Sequence, residues 1–380
     1  MITRLHVNNF RSLKHINLPL HSLNVLCGLN GSGKSNIVDS IRFLKDALRL
    51  GVKEAIAKRG GVRDILCKTS HDKEIKFYFE FRKSELSGFY SFSVEIQDVQ
   101  FILKCEKLSI HTKKNTKDEN TIHFDSSQKT LTATHEGKIK PIIFPESIIN
   151  KNELALPALR SITIELNDVF QLLTNFSFYN IIPDYLRVPQ ILTEPHPLDE
   201  HGKNLSSTLK YLKERTDNTY LLNLLKAAIH NFNNYSIESI GEYLVTRIHY
   251  LPDRSFELSQ ESEGTLKLLG LLTAINQHST KPDSLFVVEE PELNIYPETT
   301  SVIGEAIKEL SLYNQVIITS HSPDLIDFFP VDTLKVVQKN SDKTIIGNII
   351  KRQRESIAEK LFSAGEVMRM EGFTIDDEEF

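Results

Sequence analysis

A chain of 380 residues, 40% hydrophobic and 25% charged, has room for one large domain or two ordinary ones and the balance of a soluble globular protein. The net charge of -5 argues against a wholly basic nucleic-acid binder, and the sequence has no run of about 18 apolar residues that would form a membrane helix. Three widely spaced cysteines, Cys27, Cys67 and Cys105, lack metal-ligand spacing and fit buried small hydrophobes in a reduced, cytoplasmic protein.

The opening stretch "MITRLHVNNFRSL" alternates polar and apolar residues, which predicts a strand rather than a secretion signal. Residues 1–82 read as strand, strand, loop and helix, followed by a strand at "EIKFYFEF". Residues 88–145 run in short period-two segments, among them "FYSFSVEI" and "FILKCEKLSI", which predict an antiparallel sheet. Within them, Lys113, Lys114 and Lys117 are interspersed with acids, the pattern of a solvated surface. Residues 150–245 carry helical spacing, as in "YLLNLLKAAIHNF". From about 246 onward strands and helices alternate again, which implies a parallel α/β sheet. A basic helix with Lys351, Arg352 and Arg354 and an acidic "DDEEF" tail follow.

The expected organisation is an α/β nucleotide-binding core in two sequence halves, 1–82 and 246–350. Between them come an antiparallel β part at 83–149 and a helical insertion at 150–245, with a C-terminal helix and tail at 351–380.

Gly28-Leu29-Asn30-Gly31-Ser32-Gly33-Lys34-Ser35 matches the phosphate-loop pattern at every position, after an apolar strand and before a helix. Glycines let backbone N–H groups turn toward phosphate oxygens, and the helix N-terminus adds its positive end. Lys34 is expected at the β- and γ-phosphates and Ser35 on Mg²⁺. The ATP contacts expected from this loop are Asn30, Gly31, Ser32, Gly33, Lys34, Ser35 and Asn36.

Hydrolysis also needs carboxylates, and "SLFVVEEPE" ends an apolar strand in them. Glu289 is expected to support Mg²⁺. Glu290, on the opposite face, is expected to polarise the attacking water. The next strand, "QVIITSHSP", places His321 at its tip, within reach of the γ-phosphate or the water. In "LSQESEGTLKLLGLL", Ser259, Ser262 and Gly264 lead into an apolar helix whose N-terminus suits an anion.

This ordered set resembles the ABC-type ATPases of the RecF/SMC branch, and most nearly the stand-alone AAA-family ATPases of the OLD (overcoming lysogenisation defect) type. The resemblance rests on "NNFRSLK", "GLNGSGKSN", "SEGTLKLL", "VVEEPELNIYP" and "ITSHSPDLI", with shorter likenesses in "FYNIIPDYLR" and "LDEHGKNLSSTLKYL". It implies a P-loop ABC-type ATPase head and a head-to-head dimer with ATP between the subunits. Ser262 and Gly264 would then contact the γ-phosphate in trans, and Arg11 and Ser12 would lie beside the nucleotide. By the same resemblance Glu289 takes the metal-supporting Walker B position, Glu290 that of the catalytic glutamate and His321 that of the switch histidine.

The sequence also departs from the pattern. Glu289 stands where ABC proteins usually have Asp, and Tyr296 where the subgroup commonly has His. No clear Q-loop glutamine stands out, with Gln97 and Gln100 the weak candidates. Glu292 is expected in a structural or dimer-contact role and Glu298 at the surface. The roughly 60 residues after the His321 strand are too short for the TOPRIM nuclease domain of OLD proteins. The expectation is therefore an ATPase switch of a bacterial defence system that controls a separately encoded effector, plausibly a TOPRIM-like nuclease. A RecF-like repair ATPase acting on DNA is the alternative, and the degenerate "SEG" signature and long insertion disfavour a transporter subunit.

Overall fold

The structure, a computed structural model, describes residues 1–115, 118–127, 130–135, 138–143, 152–192, 197–215, 217–279 and 284–376. Lys117 of the basic stretch and residues 377–380 of the acidic tail lie outside them.

Three short apolar runs form the centre of a six-stranded sheet: Leu23–Cys27, Leu285–Glu289 and Gln315–Ser320. Their residues are almost all buried, as expected for parallel strands covered on both faces. In space the order is Phe176–Tyr179, Leu285–Glu289, Gln315–Ser320, Leu23–Cys27, Leu334–Asn340 and Lys343–Gly347, with only the last strand antiparallel. The register sets Glu289 opposite Thr319 and Ser320 opposite Cys27. The phosphate loop, the acid pair and His321 therefore leave the sheet at one edge, that of the strand carboxyl ends.

Alternate residues feed two cores. Leu26, Val287 and Ile317 face one, which holds the phosphate-loop helix Lys34–Leu50 and the inner face of an eight-stranded antiparallel sheet. Val25, Val288 and Ile318 face the other, which is covered by the helices Glu263–Ser279 and Thr300–Leu310. Phe43 of the phosphate-loop helix stacks on Phe77 with ring centroids 5.0 Å apart, and Phe77 on Phe92 at 4.9 Å, which fixes this helix against the antiparallel sheet.

The chain is distributed among the sheets differently from the expected segments. The strand containing "EIKFYFEF", Glu74–Lys83, joins Ile2–Phe10 and Leu13–Pro19 in the antiparallel sheet, because its alternate Ile75, Phe77, Phe79 and Phe81 are buried on one face. Phe176–Tyr179, inside the segment read as helical, is an edge strand of the parallel sheet. Four residues are too few for periodicity to separate strand from helix. The same segment supplies Phe232–Ile240 and Gln190–Ile191 to a small antiparallel sheet with Tyr243–Tyr250 and Arg254–Glu257. The basic helix Lys351–Ala358 is followed by a second helix, Ala364–Met370. No helix of the described residues is long and apolar enough to cross a membrane.

Candidate nucleotide site

The phosphate loop turns where left-handed backbone demands glycine. Gly31 has φ 77° and Gly33 φ 109°, and Gly33 immediately precedes the helix. A Cβ on Gly33 would sit 2.0 Å from Thr344 Oγ1, and one on Gly28 would sit 2.1 Å from the Val337 carbonyl oxygen. Lys34 is buried, and its Nζ donates to the Gly28 and Leu29 carbonyls at 2.7 and 3.1 Å, so the ammonium curls over the loop's own backbone. Burial lowers its pKa, and the nearby Glu290 opposes that shift. Ser32 Oγ is buried with no hydrogen-bond partner, while Asn30 is exposed at the loop surface.

The Ser35 side chain lies close enough to Glu289 to favour its charged form, which brings the two residues expected on Mg²⁺ together. The reason is strand parity: Glu289 shares its face with Val287, the face on which the phosphate-loop helix packs. Burial raises the Glu289 pKa, and Ser35 and then Arg42 counter this. Arg42 Nη2 lies 3.4 Å from Glu289, its Nη1 bonds Glu200, and its guanidinium lies 4.6 Å from the Phe178 ring centroid. A hydroxyl beside a carboxylate is a hard-oxygen pair that fits Mg²⁺, which is usually held by one or two protein oxygens together with substrate phosphates. Ser35 and Glu289 would hold it, and bound Mg²⁺ would neutralise charge on the β- and γ-phosphate oxygens.

Glu290 ends the strand in a left-handed conformation, φ 46°, and its N–H donates to the Thr319 carbonyl at 3.0 Å. That turn sets its carboxylate 3.4 Å from His321 Nδ1, so the expected water-polarising acid and switch histidine are neighbours. Glu292, by contrast, is turned inward, with its side chain 7% exposed.

Arg11 and Ser12 lie in the turn between the first two strands. Arg11 pairs with Asp39 at 3.2 Å, and Asp39 also binds the buried Arg59. Asn36 Nδ2 donates to Ser12 Oγ at 2.6 Å, placing this turn against the phosphate-loop helix. Arg11, Ser12 and Asn36 line one wall of an open cavity with Asp64, Lys68 and Thr69. Ser262 precedes the helix Glu263–Ser279, and its Oγ accepts from the Thr265 N–H at 3.2 Å. Gly264 abuts Asn294, whose carbonyl oxygen would lie 2.9 Å from an added Cβ. In this single chain the Ser262 helix meets its own acid loop.

Neither Gln97 nor Gln100 belongs to the site. They face each other at the end of a hairpin in the antiparallel sheet, because the period-two pattern on either side makes this stretch a turn. The place beside Glu289 is taken by the residue after Phe176–Tyr179: Tyr179 registers with Val288, so the exposed Asn180 follows at the tip. Thr344, Arg42, Glu200, Asp39 and Arg59 also surround the site and were not among the expected residues. Arg42, three residues before Lys45 on the phosphate-loop helix, was legible as a second cation there. Thr344 and Glu200 come from distant segments that no local pattern links to the loop.

Residues 23–327 match the family model "AAA domain, putative AbiEii toxin, Type IV TA system". The chain is 23% identical over 369 residues to an OLD nuclease of Thermus scotoductus and 20% identical over 422 residues to the endonuclease GajA of Bacillus cereus. These matches cover 94% and 96% of the chain but 65% and 64% of the relatives, so the chain spans just under two thirds of their length. A crystal structure of an Smc head bound to the C-terminal winged-helix domain of ScpA superposes with TM-score 0.56 at 13% identity, over 93% of this chain and 99% of that one, which shows a shared fold. The chain belongs to the family of that AAA-domain model, as an ABC-type ATPase head of OLD-like kind.

Proposed function

We propose that the protein is a Mg²⁺-dependent ATP-hydrolysing switch that works as a head-to-head dimer and controls a nuclease effector outside these 380 residues, in a bacterial anti-phage defence system. The observation that carries the ATPase part is the meeting of Ser35 with Glu289 beside the Glu290–His321 pair, at the edge where the phosphate loop leaves the sheet. Lys34 neutralises phosphate charge, Glu290 takes the proton of the attacking water, and His321 stands beside it to hydrogen-bond the water or the γ-phosphate. Ser262 and Gly264, at a helix N-terminus exposed to solvent, serve the γ-phosphate of a second copy.

The effector proposal draws on the relatives, which are named as nucleases, and on the head fold, which accounts for 93% of this chain. In this reading the nuclease chemistry lies outside these 380 residues, and ATP-driven closure of the dimer holds or releases it. Co-purification with the products of the neighbouring genes, with and without ATP, tests this. An ATP-dependent complex with a nuclease is the expected result. ATP-dependent binding of duplex DNA with a steep salt dependence and no protein partner would instead favour the DNA-repair reading.

A further inference from the structure

The hydrolysis scheme above leaves Glu292 unused, yet it is the most deeply buried carboxylate of its loop, with a side chain 7% exposed. Its Oε1 accepts from Ser320 Oγ at 2.6 Å and from the His321 N–H at 3.2 Å. Its Oε2 is buried with no hydrogen-bond partner. A carboxylate in such a place is costly unless opposite charge offsets it. Two buried ammonium groups feel its charge, Lys34 and Lys267, the latter on the helix that Ser262 precedes. Burial lowers the Lys267 pKa, and the opposing charges are Glu292 first and Glu290 second.

The backbone explains how Glu292 reaches back to the next strand's tip. Glu290 and Asn294, with φ 46° and 63°, are left-handed non-glycine residues within one short loop. Turn bonds from the Leu293 N–H to the Glu290 carbonyl and from the Ile295 N–H to the Glu292 carbonyl, each 3.1 Å, close the loop on itself. Its far end is pinned to the Ser262 helix, where Asn294 Nδ2 donates to Glu263 at 3.0 Å and the Asn294 carbonyl packs on Gly264. The His321 ring stands between two acids, its Nδ1 3.4 Å from Glu290 Oε1 and 3.8 Å from Glu292 Oε1. Nδ1 is buried and makes no aligned hydrogen bond, so both carboxylates draw on one ring nitrogen.

We infer that Glu292 is a positioning residue for hydrolysis: it holds Ser320 and the His321 backbone so that the imidazole stands beside Glu290. The inference rests on the ATPase reading. It adds a physical path by which the helix that serves the second copy's phosphate reaches this copy's own histidine, through Gly264, Asn294 and Glu292.

The test uses the full chain. Glu292→Ala is expected to lower kcat about a hundredfold, the scale of a misplaced catalytic group, while the Kd for MgATP stays within about twofold. Glu292→Gln keeps an acceptor oxygen for Ser320 and the His321 N–H and should stay within about tenfold of the wild-type kcat. Ser320→Ala should fall about 3–10-fold. A second readout needs no turnover: in ¹⁵N-histidine NMR spectra, the His321 signal, assigned by its loss in His321→Ala, should move in Glu292→Ala far more than in Glu292→Gln. A wild-type kcat with an unmoved His321 signal in Glu292→Ala overturns the inference, as does equal loss of ATP binding in the Ala and Gln variants. If Glu292→Ala does not fold, Glu292→Gln and Ser320→Ala decide it by the same two readouts. A wild-type protein that hydrolyses no ATP would remove the ATPase reading, and the NMR comparison would still judge Glu292.

Discussion

The Thr344 hydroxyl lies 2.7 Å from Ser12 Oγ and donates to the Ser32 carbonyl at 3.0 Å, joining the "FRS" turn to the phosphate loop through an edge strand of the parallel sheet. Since the Thr344 proton goes to Ser32, Ser12 donates to Thr344, and Asn36 in turn donates to Ser12. The loop is thus held by a directed chain of side-chain hydrogen bonds that starts on its own helix. Thr344→Val keeps the shape and breaks this chain. With two bonds lost at about 1 kcal/mol each, ATP binding should weaken up to about thirtyfold, as measured by isothermal titration calorimetry.

Lys34→Ala removes the one ammonium curled over the loop. Its partners in the structure are the backbone carbonyls of Gly28 and Leu29, which water can satisfy, so folding should survive. Nucleotide binding should be lost, because the phosphates lose their main cation. Fluorescent-nucleotide titration reads this directly, and tight binding in the variant would remove Lys34 from the phosphate site.

Away from the site, Glu106 is fully buried, with Oε1 accepting from Tyr90 and the Leu156 N–H and Oε2 from the Ala155 N–H. Whichever way an amide is turned, Glu106→Gln sets an NH₂ against a backbone N–H, at a cost of about 1–3 kcal/mol in urea unfolding near neutral pH. Burial raises the Glu106 pKa, although its three donors oppose this. A raised value means the folded state holds the proton more tightly than the unfolded chain. Stability should therefore fall as pH climbs from the ordinary carboxylate value through the raised one, and the Gln variant should lose that slope.

The segments that form the candidate site were legible because each is local. The phosphate loop is eight contiguous residues, and Glu289, Glu290 and His321 sit where apolar runs stop. Strand parity then explains why Glu289 rather than Glu290 meets Ser35. The assignment of strands to sheets was not legible, since "EIKFYFEF" and "FSFY" have the same composition whichever sheet they join, and only tertiary pairing decides. The contacts of Thr344 and Glu200 were hidden for the same reason: each reaches the site across a long stretch of sequence. The environment of Glu292 was hidden too, because it depends on two left-handed residues that no composition announces.

In the proposed cycle this chain closes on ATP as a dimer and opens by hydrolysis at Glu290. Glu290 is about a third exposed and is held in place by backbone bonds to Thr319, so Glu290→Gln should preserve the fold. The decisive measurement is light scattering on a sizing column, with and without MgATP, alongside phosphate release. Glu290→Gln is expected to bind ATP, to lose turnover by about a hundredfold or more and to elute as a stable dimer only with MgATP, while the wild type returns to its nucleotide-free state as ATP is consumed. Wild-type turnover in Glu290→Gln, or a variant that binds MgATP and stays monomeric, would contradict it.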